Sequence, residues 1–198
     1  ASGRNTWCGS GSGADRGATP RPKCPMPAYV RRFFVAAGGL SVDTHSEAPA
    51  GAGISGSSAL IIAISSALNR LNGTRHEMEK LREIAQNIEA QIIRVPTGAQ
   101  DYYPAMYGGM SAIELGPAGI RRTEIVVDND DFNERIVLAY TVVPRESGIH
   151  NWEVLKAYID GDKRVHRNFE RITEIAVAMR RSLDKQSWTV VGRLLREE

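Results

Sequence analysis

Apolar residues recur at helical spacing in two neighbouring stretches of the first half of the chain. The first stretch runs from about Gly56 to Leu71, and Asn72-Gly73 ends it in the usual C-terminal manner. The second has Thr74 and Glu77 in front of it at capping-box spacing. Its apolar residues are Met78, Leu81, Ile84, Ala85, Ile88 and Ile92. The pattern predicts two helices in succession.

Strand-like stretches flank these helices. Leu40 to Ser46 alternates apolar and polar positions, as a half-buried strand does. Beyond the second helix, a short helix is predicted at Tyr102 to Tyr107, before Gly108-Gly109. Three further strands are predicted at Met110 to Leu115, Ile120 to Val127 and Arg135 to Val143, and Asp128-Asn129-Asp130 is predicted as a turn. The chain therefore combines helices with strands.

The last third of the chain is helical in its periodicity. Helices are predicted at Trp152 to Ile159, Lys163 to Leu183 and Ser187 to Leu195. The middle helix places Phe169, Ile172, Ile175, Ala176 and Met179 on one face, so we expect that face to pack. The composition changes at residues 146–151, which is the candidate domain boundary.

Residues 1–27 contain Gly, Ser, Arg and Pro but almost no aliphatic side chains. Such a segment buries too little apolar surface to offset the entropy of ordering, so we expect it to be disordered or aberrant. Cys8 and Cys24 both lie in it, and their spacing does not resemble a metal site. Whether these two cysteines form a disulfide is left open.

Composition and charge narrow the class of partner. The 198 residues include 25 Lys and Arg against 23 Asp and Glu, and the basic residues are spread through the helices. This balance gives no case for nucleic acid. No apolar run has the length of a membrane span, and no leader is recognisable. We therefore expect a cytoplasmic enzyme that acts on a small molecule.

Residues 49–59 read Pro-Ala-Gly-Ala-Gly-Ile-Ser-Gly-Ser-Ser-Ala, directly before and into the first helix. The glycines allow consecutive backbone N–H groups to point into one concavity, and the serines add hydroxyls at a helix start that attracts anions. The loop is not a Walker loop, and it lacks the acidic residue that follows a dinucleotide fingerprint. A phosphate-binding loop is favoured over a structural turn. Its candidate ligand-binding residues are Pro49, Gly51, Gly53, Ile54, Ser55, Gly56, Ser57, Ser58 and Ala59.

Two carboxylates are candidates for chemistry. Asp101 follows Thr97-Gly-Ala-Gln100 on a glycine-hinged loop, a position that suits a base near an acceptor hydroxyl. Glu89 adjoins the apolar stripe of the second helix and could reach a divalent ion held by nucleotide phosphates. A turn residue and a solvated helix residue are the respective alternatives.

Other polar residues carry less information. Arg145, Ser147, His150 and Asn151 could face a polar ligand, and a plain interdomain loop is equally credible. The remaining histidines have no spacing that suggests a metal site or a triad, so we expect them at the surface: His45, His76 and His166.

Three stretches together resemble the GHMP kinases, the family of galactokinase, homoserine kinase, mevalonate kinase and phosphomevalonate kinase. The loop at 49–59 resembles their second motif, and 97–109 resembles their Gly-x-x-Asp segment with its following Tyr-Gly-Gly. The segment 147–162 is similar to sugar or heptose-phosphate kinases. The resemblance covers about residues 29–198.

The resemblance implies an α+β fold. Its first domain, at residues 28–145, would be a ribosomal-S5-like domain with a left-handed βαβ unit, and residues 146–198 would be the helical start of an incomplete second domain. It also implies ATP on the Gly/Ser loop, Ser58 and Glu89 as ligands of Mg²⁺, and Asp101 as the base. The first and third family motifs are not found, so we expect an abbreviated member, truncated at both ends.

The resulting functional hypothesis is an ATP-dependent kinase that phosphorylates a hydroxyl of a sugar or sugar phosphate. The alternatives are a catalytically incomplete nucleotide-binding fragment, a mevalonate-type alcohol kinase, and a scaffold whose Gly/Ser loop is only a turn. The identity of the acceptor and the oligomeric state are left open.

Overall fold

The computed structural model describes residues 3–8, 26, 29–30, 34, 41–47, 49, 52–140 and 147–197. By its internal contacts the chain divides into two units. The first comprises Ala1–Met106 with Val142–Gly148, and the second comprises Tyr107–Thr141 with Ile149–Glu198. The predicted domain limits, 28–145 and 146–198, stay a prediction.

The first unit contains a pair of antiparallel strands. Strand β1, Gly3–Cys8, pairs with β2, Ser41–Ser46, in a register that runs from Gly3 opposite Ser46 to Cys8 opposite Ser41. The predicted strand is thus confirmed in β2. Strand β1 lies within residues 1–27, and pairing with β2 gives its backbone groups partners. The expectation that residues 1–27 are disordered or aberrant stays a prediction. Cys24 lies outside the described residues, so the cysteine pairing stays open.

Two helices form the core of the first unit, and both confirm their predictions. Helix α1 is Gly56–Leu71 and helix α2 is Met78–Ile93. Apolar side chains of the two helices share one buried cluster, which includes Ile61, Ile64, Leu68, Leu81, Ile84, Ala85 and Ile88. Each buried aliphatic side chain of this size stabilises the fold by about 1.5–3 kcal/mol, so this cluster fixes α1 against α2.

The predicted capping box at the start of α2 is wrong. Glu77 occupies the cap position without a capping side-chain hydrogen bond. Thr74 instead donates its hydroxyl to Asn69 Oδ1 at 2.7 Å, and the backbone N–H of His76 donates to the same oxygen at 2.9 Å. The side chain of Asn69, in the preceding helix, therefore accepts the hydrogen bonds of the segment between α1 and α2. The chain turns once more at Arg75, which has a φ of 50°, before α2 begins.

The short helix α3, Tyr102–Tyr107, confirms its prediction. Its first two residues, Tyr102 and Tyr103, are 0% and 1% exposed. Tyr102 belongs to the same buried cluster as α1 and α2. The segment before α3 is therefore held close to the helix core.

The second unit begins with a hairpin. Strands β3, Met110–Gly116, and β4, Gly119–Ile125, are antiparallel, with Met110 opposite Ile125 and Gly116 opposite Gly119. Two of the three predicted strands are thus confirmed.

The third predicted strand, 135–143, is wrong for residues 135–140, while 141–143 lie outside the described residues. The predicted turn before it is a short helix, α4, Asn129–Asn133, whose first turn is capped by Asp128. Val137 and Leu138 are 93% and 83% exposed. A β-prone sequence forms a strand only where a partner strand and a packed face are present, and within the described part of the chain no strand pairs with these residues.

Three helices complete the second unit and confirm the helical prediction: α5, Ser147–Ile159; α6, Lys163–Asp184; and α7, Trp188–Glu197. Ile125, Leu183 and Val191 form a small buried cluster. The predicted packing face of α6 is only partly buried, since Ile175 is 3% exposed but Ile172 is 46% exposed. Among the described residues, no helix is long and apolar enough to cross a membrane.

Candidate active site

The Gly/Ser loop reaches α1 through two residues with positive φ. Gly53 and Ser55 have φ values of 74° and 57°, and the N–H of Ala52 closes a turn on the carbonyl of Pro49 at 3.3 Å. Gly51 lies outside the described residues. Glycine adopts such a φ at no steric cost, whereas Ser55 is held in the left-handed region at some cost in strain.

The start of α1 is open to an anion. Ser55 occupies the cap position without a capping side-chain hydrogen bond, and the first turn has no acidic residue. The first N–H groups of a helix lack partners within the helix, and the helix dipole is positive there. The loop and first-turn residues Gly53, Ile54, Gly56, Ser57 and Ala59 are exposed. An anionic group can therefore approach these N–H groups.

Glu89 lies on α2 and is 6% exposed. Its Oε1 accepts a hydrogen bond from Ser57 Oγ at 2.6 Å, and its Oε2 accepts one from Ser58 Oγ at 3.0 Å. The phenol of Tyr102 donates to Oε2 at 2.7 Å. Three hydroxyl groups from two other helices thus converge on one buried carboxylate.

The described partners of this carboxylate are hydroxyl groups. Within the part of the chain that the structure describes, no salt bridge involves Glu89. Burial raises the pKa of the Tyr102 phenol well above its usual value, and the hydrogen bond to Glu89 raises it further. The Tyr102 phenol therefore stays protonated throughout the neutral pH range, and it donates a hydrogen bond to Glu89.

Asp101 is half-buried and directly precedes Tyr102. In the loop before it, the amide of the Gln100 side chain folds against Gly98, where a Cβ would meet it. Asp101 is thus one residue away from a side chain that contacts Glu89, and Glu89 contacts both serines at the start of α1. The structure brings together three stretches that are more than ten residues apart in sequence.

Ser58 and Glu89 fit the coordination chemistry of Mg²⁺. They supply a hydroxyl oxygen and a carboxylate oxygen, and proteins commonly bind this ion through one or two carboxylates, with phosphates and water completing the shell. The described residues contain no group of three or more His, Cys, Asp or Glu side chains that could hold a metal by themselves.

Sequence reasoning missed Tyr102 and Tyr103 as members of this site. The phenol of Tyr103 donates to Glu79 Oε2 at 3.0 Å, and Tyr102 contacts Glu89 as described. Both tyrosines therefore bond to glutamates of α2. The usable signal was the ten-residue spacing of Glu79 and Glu89, which places both beside the apolar stripe of that helix.

The remaining polar candidates are Arg145, Ser147, His150, Asn151 and the other three histidines. Arg145 lies outside the described residues, as do the side chains of Ser147 and His150, while Asn151 is exposed on α5. His45 is exposed, as predicted. His76 and His166 are half-buried, so each keeps part of its side chain at the surface. They pack against the rings of Phe34 and Tyr158, with ring centroids 5.9 Å and 4.0 Å apart.

The start of α1 is open to an anion and lies beside a carboxylate bound by hydroxyl groups. Comparison with known proteins gives the family that this part of the chain resembles. Residues 26–109 match the family described as GHMP kinases N terminal domain. The match confirms the resemblance to this family for residues 26–109. Over 165 residues the chain is 26% identical to the D-glycero-alpha-D-manno-heptose 7-phosphate kinase of Campylobacter jejuni, covering 79% of this chain and 47% of that protein. The chain thus spans about half the length of this curated relative.

Proposed function

We propose that this chain carries the nucleotide site of an ATP-dependent kinase that phosphorylates a hydroxyl of a sugar or sugar phosphate. The observation that carries the proposal is the contact of Glu89 with both serines at the start of α1 and with the tyrosine next to Asp101. The name of the Campylobacter relative supports a sugar phosphate as acceptor.

The phosphates of ATP would lie on the loop at 49–59. The backbone N–H groups at the start of α1 and the hydroxyls of Ser55, Ser57 and Ser58 supply donors without a competing acidic residue in the first turn. Ser58 and Glu89 would hold Mg²⁺, which neutralises charge on the β- and γ-phosphates when it is bound. In this proposal Ser57 and Ser58 exchange hydrogen bonds to Glu89 for contacts to phosphate or metal.

Asp101 would orient the acceptor and take its proton. The acceptor oxygen forms the new bond to the γ-phosphorus, the bond from that phosphorus to the bridging oxygen breaks, and ADP leaves. The hydroxyl proton passes to the Asp101 carboxylate. Tyr102 and Tyr103, bonded to α2, hold the residues directly after Asp101 in place.

The remaining features of the proposal follow from the family. We place the first domain in the ribosomal-S5-like fold with a left-handed βαβ unit, and residues 146–198 at the helical start of a second domain. A cytoplasmic location completes the proposal. A nucleotide-binding chain without turnover is the alternative, because the chain spans about half of its relative.

The proposal is tested by ATP turnover with Mg²⁺ and a panel of acceptors that includes D-glycero-D-manno-heptose 7-phosphate and free hexoses. Asp101→Asn should lower kcat by about 100-fold or more, because it removes a proton acceptor in the transition state. Asp160→Asn, at an exposed position after α5, is the matched control and should leave kcat unchanged. Equal turnover by Asp101→Asn and the unmodified chain would show that Asp101 is not the base. Binding of Mg-ATP without turnover would favour the alternative.

A further inference from the structure

One face of α2 carries a connected row of polar side chains. Glu79, Arg82, Gln86 and Glu89 are spaced at i, i+3, i+7 and i+10, which on a helix confines them to a sector of about 80°. Arg82 is 7% exposed and Glu89 is 6% exposed, so half of this row is buried. We call it the polar row.

Hydrogen bonds connect three members of the polar row. Arg82 Nε donates to Glu79 Oε2 at 3.0 Å, and Arg82 Nη1 donates to Gln86 Oε1 at 2.6 Å. The amide of Gln86 then donates through Nε2 to the backbone carbonyl of Thr97 at 3.0 Å. Arginine has no acceptor atom, so it fixes the oxygen of the Gln86 amide toward itself and the NH₂ group toward Thr97.

The polar row holds the Asp101 segment at three points. Gln86 binds the backbone at Thr97, Glu89 binds the phenol of Tyr102, and Glu79 binds the phenol of Tyr103. These contacts lie on both sides of Asp101, four residues before it and one and two residues after it. The segment between them has little freedom, since Ala99 is 5% exposed and the Gln100 side chain folds against Gly98.

We propose that Gln86 is a positioning residue for Asp101, acting through the Thr97 carbonyl and itself oriented by Arg82. The role of Asp101 in this inference rests on the proposed function. Gln86 contacts neither ATP nor the acceptor in this scheme. Gln86 fixes the position of the loop at 97–101 relative to α2. A small displacement of a catalytic group lowers the rate far more than it changes nucleotide binding.

Gln86→Glu tests this role with almost no change of shape. The carboxylate keeps an acceptor for Arg82 but presents a second acceptor to the Thr97 carbonyl, so the contact becomes repulsive. We expect kcat to fall on the order of 100-fold, while the KM for Mg-ATP stays within about twofold. Asn87→Asp makes the same chemical change at the adjacent exposed position of α2, and it should leave both constants unchanged.

A second measurement does not depend on activity. In hydrogen-exchange mass spectrometry, the amides of residues 98–103 should exchange about tenfold faster in Gln86→Glu than in the unmodified chain, because an anchoring hydrogen bond has been lost. In Gln86→Glu, the amides of α1 should exchange at the same rate as in the unmodified chain. In Asn87→Asp, the amides of residues 98–103 should also keep the rate of the unmodified chain. If no acceptor is phosphorylated by the unmodified chain, the proposed function fails and this measurement alone decides the positioning role.

Two results would overturn the inference. One is unchanged exchange at 98–103 together with unchanged kcat in Gln86→Glu. The other is faster exchange along the whole of α2, which would assign Gln86 to general helix stability. Should Gln86→Glu not fold, Gln86→Ala removes the same hydrogen bond without adding charge, and the same two measurements apply to it.

Discussion

A buried glutamate in the first unit and an exposed group of charges in the second unit have opposite environments. In the first unit, Glu89 is buried and accepts hydrogen bonds from three hydroxyl groups. In the second unit, Arg171 bridges Glu174 and Glu197 at 3.0 Å and 2.8 Å, and the three side chains remain 58%, 67% and 35% exposed. Exposed ion pairs of this kind contribute about 0–1 kcal/mol and are weakened by salt.

The difference between the buried Glu89 and the exposed ion pairs of Arg171 lies in how the charge of the carboxylate is compensated. Burying a carboxylate costs free energy unless its charge is compensated, and hydroxyl donors compensate it less fully than a cation does. A cation bound next to Glu89 would offset that cost, whereas the exposed pairs of α6 and α7 already have their partners. The burial of Glu89 is therefore consistent with the proposal that this carboxylate helps to hold Mg²⁺.

The largest effect is expected for Glu89→Gln. The hydroxyls of Ser57, Ser58 and Tyr102 can each donate or accept, so they can rearrange around an amide, and the melting temperature without ligand should change by no more than about 4 °C. The concentration of Mg²⁺ needed for half-maximal ATP binding should rise about 100-fold, because a charged ligand is lost. Titration calorimetry with ATP at several Mg²⁺ concentrations measures this.

Glu174→Gln in the second unit is the control and should change neither quantity. An unchanged Mg²⁺ requirement in Glu89→Gln, combined with a large loss of stability, would mean that Glu89 is a structural residue. Glu89 would then differ from the exposed glutamates of the second unit in its burial but not in any binding of Mg²⁺.

A smaller effect is expected for Tyr102→Phe, which removes a buried hydrogen bond to a carboxylate and should cost about 1.5 kcal/mol at neutral pH. The pKa of Tyr102 is raised in the folded state, so the unfolded chain loses this proton first, above about pH 10. The stability from this group is complete below that pH and is lost as pH rises further. Urea unfolding at several alkaline pH values should show a shallower decline in Tyr102→Phe.

Tyr158→Phe provides the comparison in the second unit. Tyr158 is 39% exposed and stacks on His166 through its ring, which phenylalanine preserves. The free energy of unfolding of Tyr158→Phe should fall with rising alkaline pH as steeply as that of the unmodified chain. Equal declines in all three proteins would show that burial of the Tyr102 phenol does not govern its ionisation.

Local patterns predicted the elements whose partners are close in sequence. The limits of α1 followed from the glycine and serines at its start and from Asn72-Gly73 at its end, and the apolar spacing of α2 located that helix. The predicted capping box was wrong because Asn69, on the preceding helix, binds Thr74 instead. A cap depends on which acceptor is nearest in space, and the sequence alone does not specify it.

Long-range partners explain the remaining differences. The sequence identified Ser58, Glu89 and Asp101 as separate candidates, but it could not show that Glu89 is buried or that Tyr102 connects it to the Asp101 segment. The strand predicted at 135–140 was wrong, whereas β1 forms with a partner strand more than 30 residues away, because strand formation depends on a partner elsewhere in the chain.

Two glycines allow the central claim, that the loop before α1 holds the phosphates of ATP, to be tested directly. Gly53 lies in that loop with a φ of 74°, and Gly161 lies in the turn before α6 with a φ of 84°. Replacement by alanine strains both positions by about 1 kcal/mol. Calorimetric titration with Mg-ATP should show binding to the unmodified chain and to Gly161→Ala with equal affinity, and binding about tenfold weaker to Gly53→Ala. Equal affinity in all three proteins, or no binding to the unmodified chain, would contradict the claim.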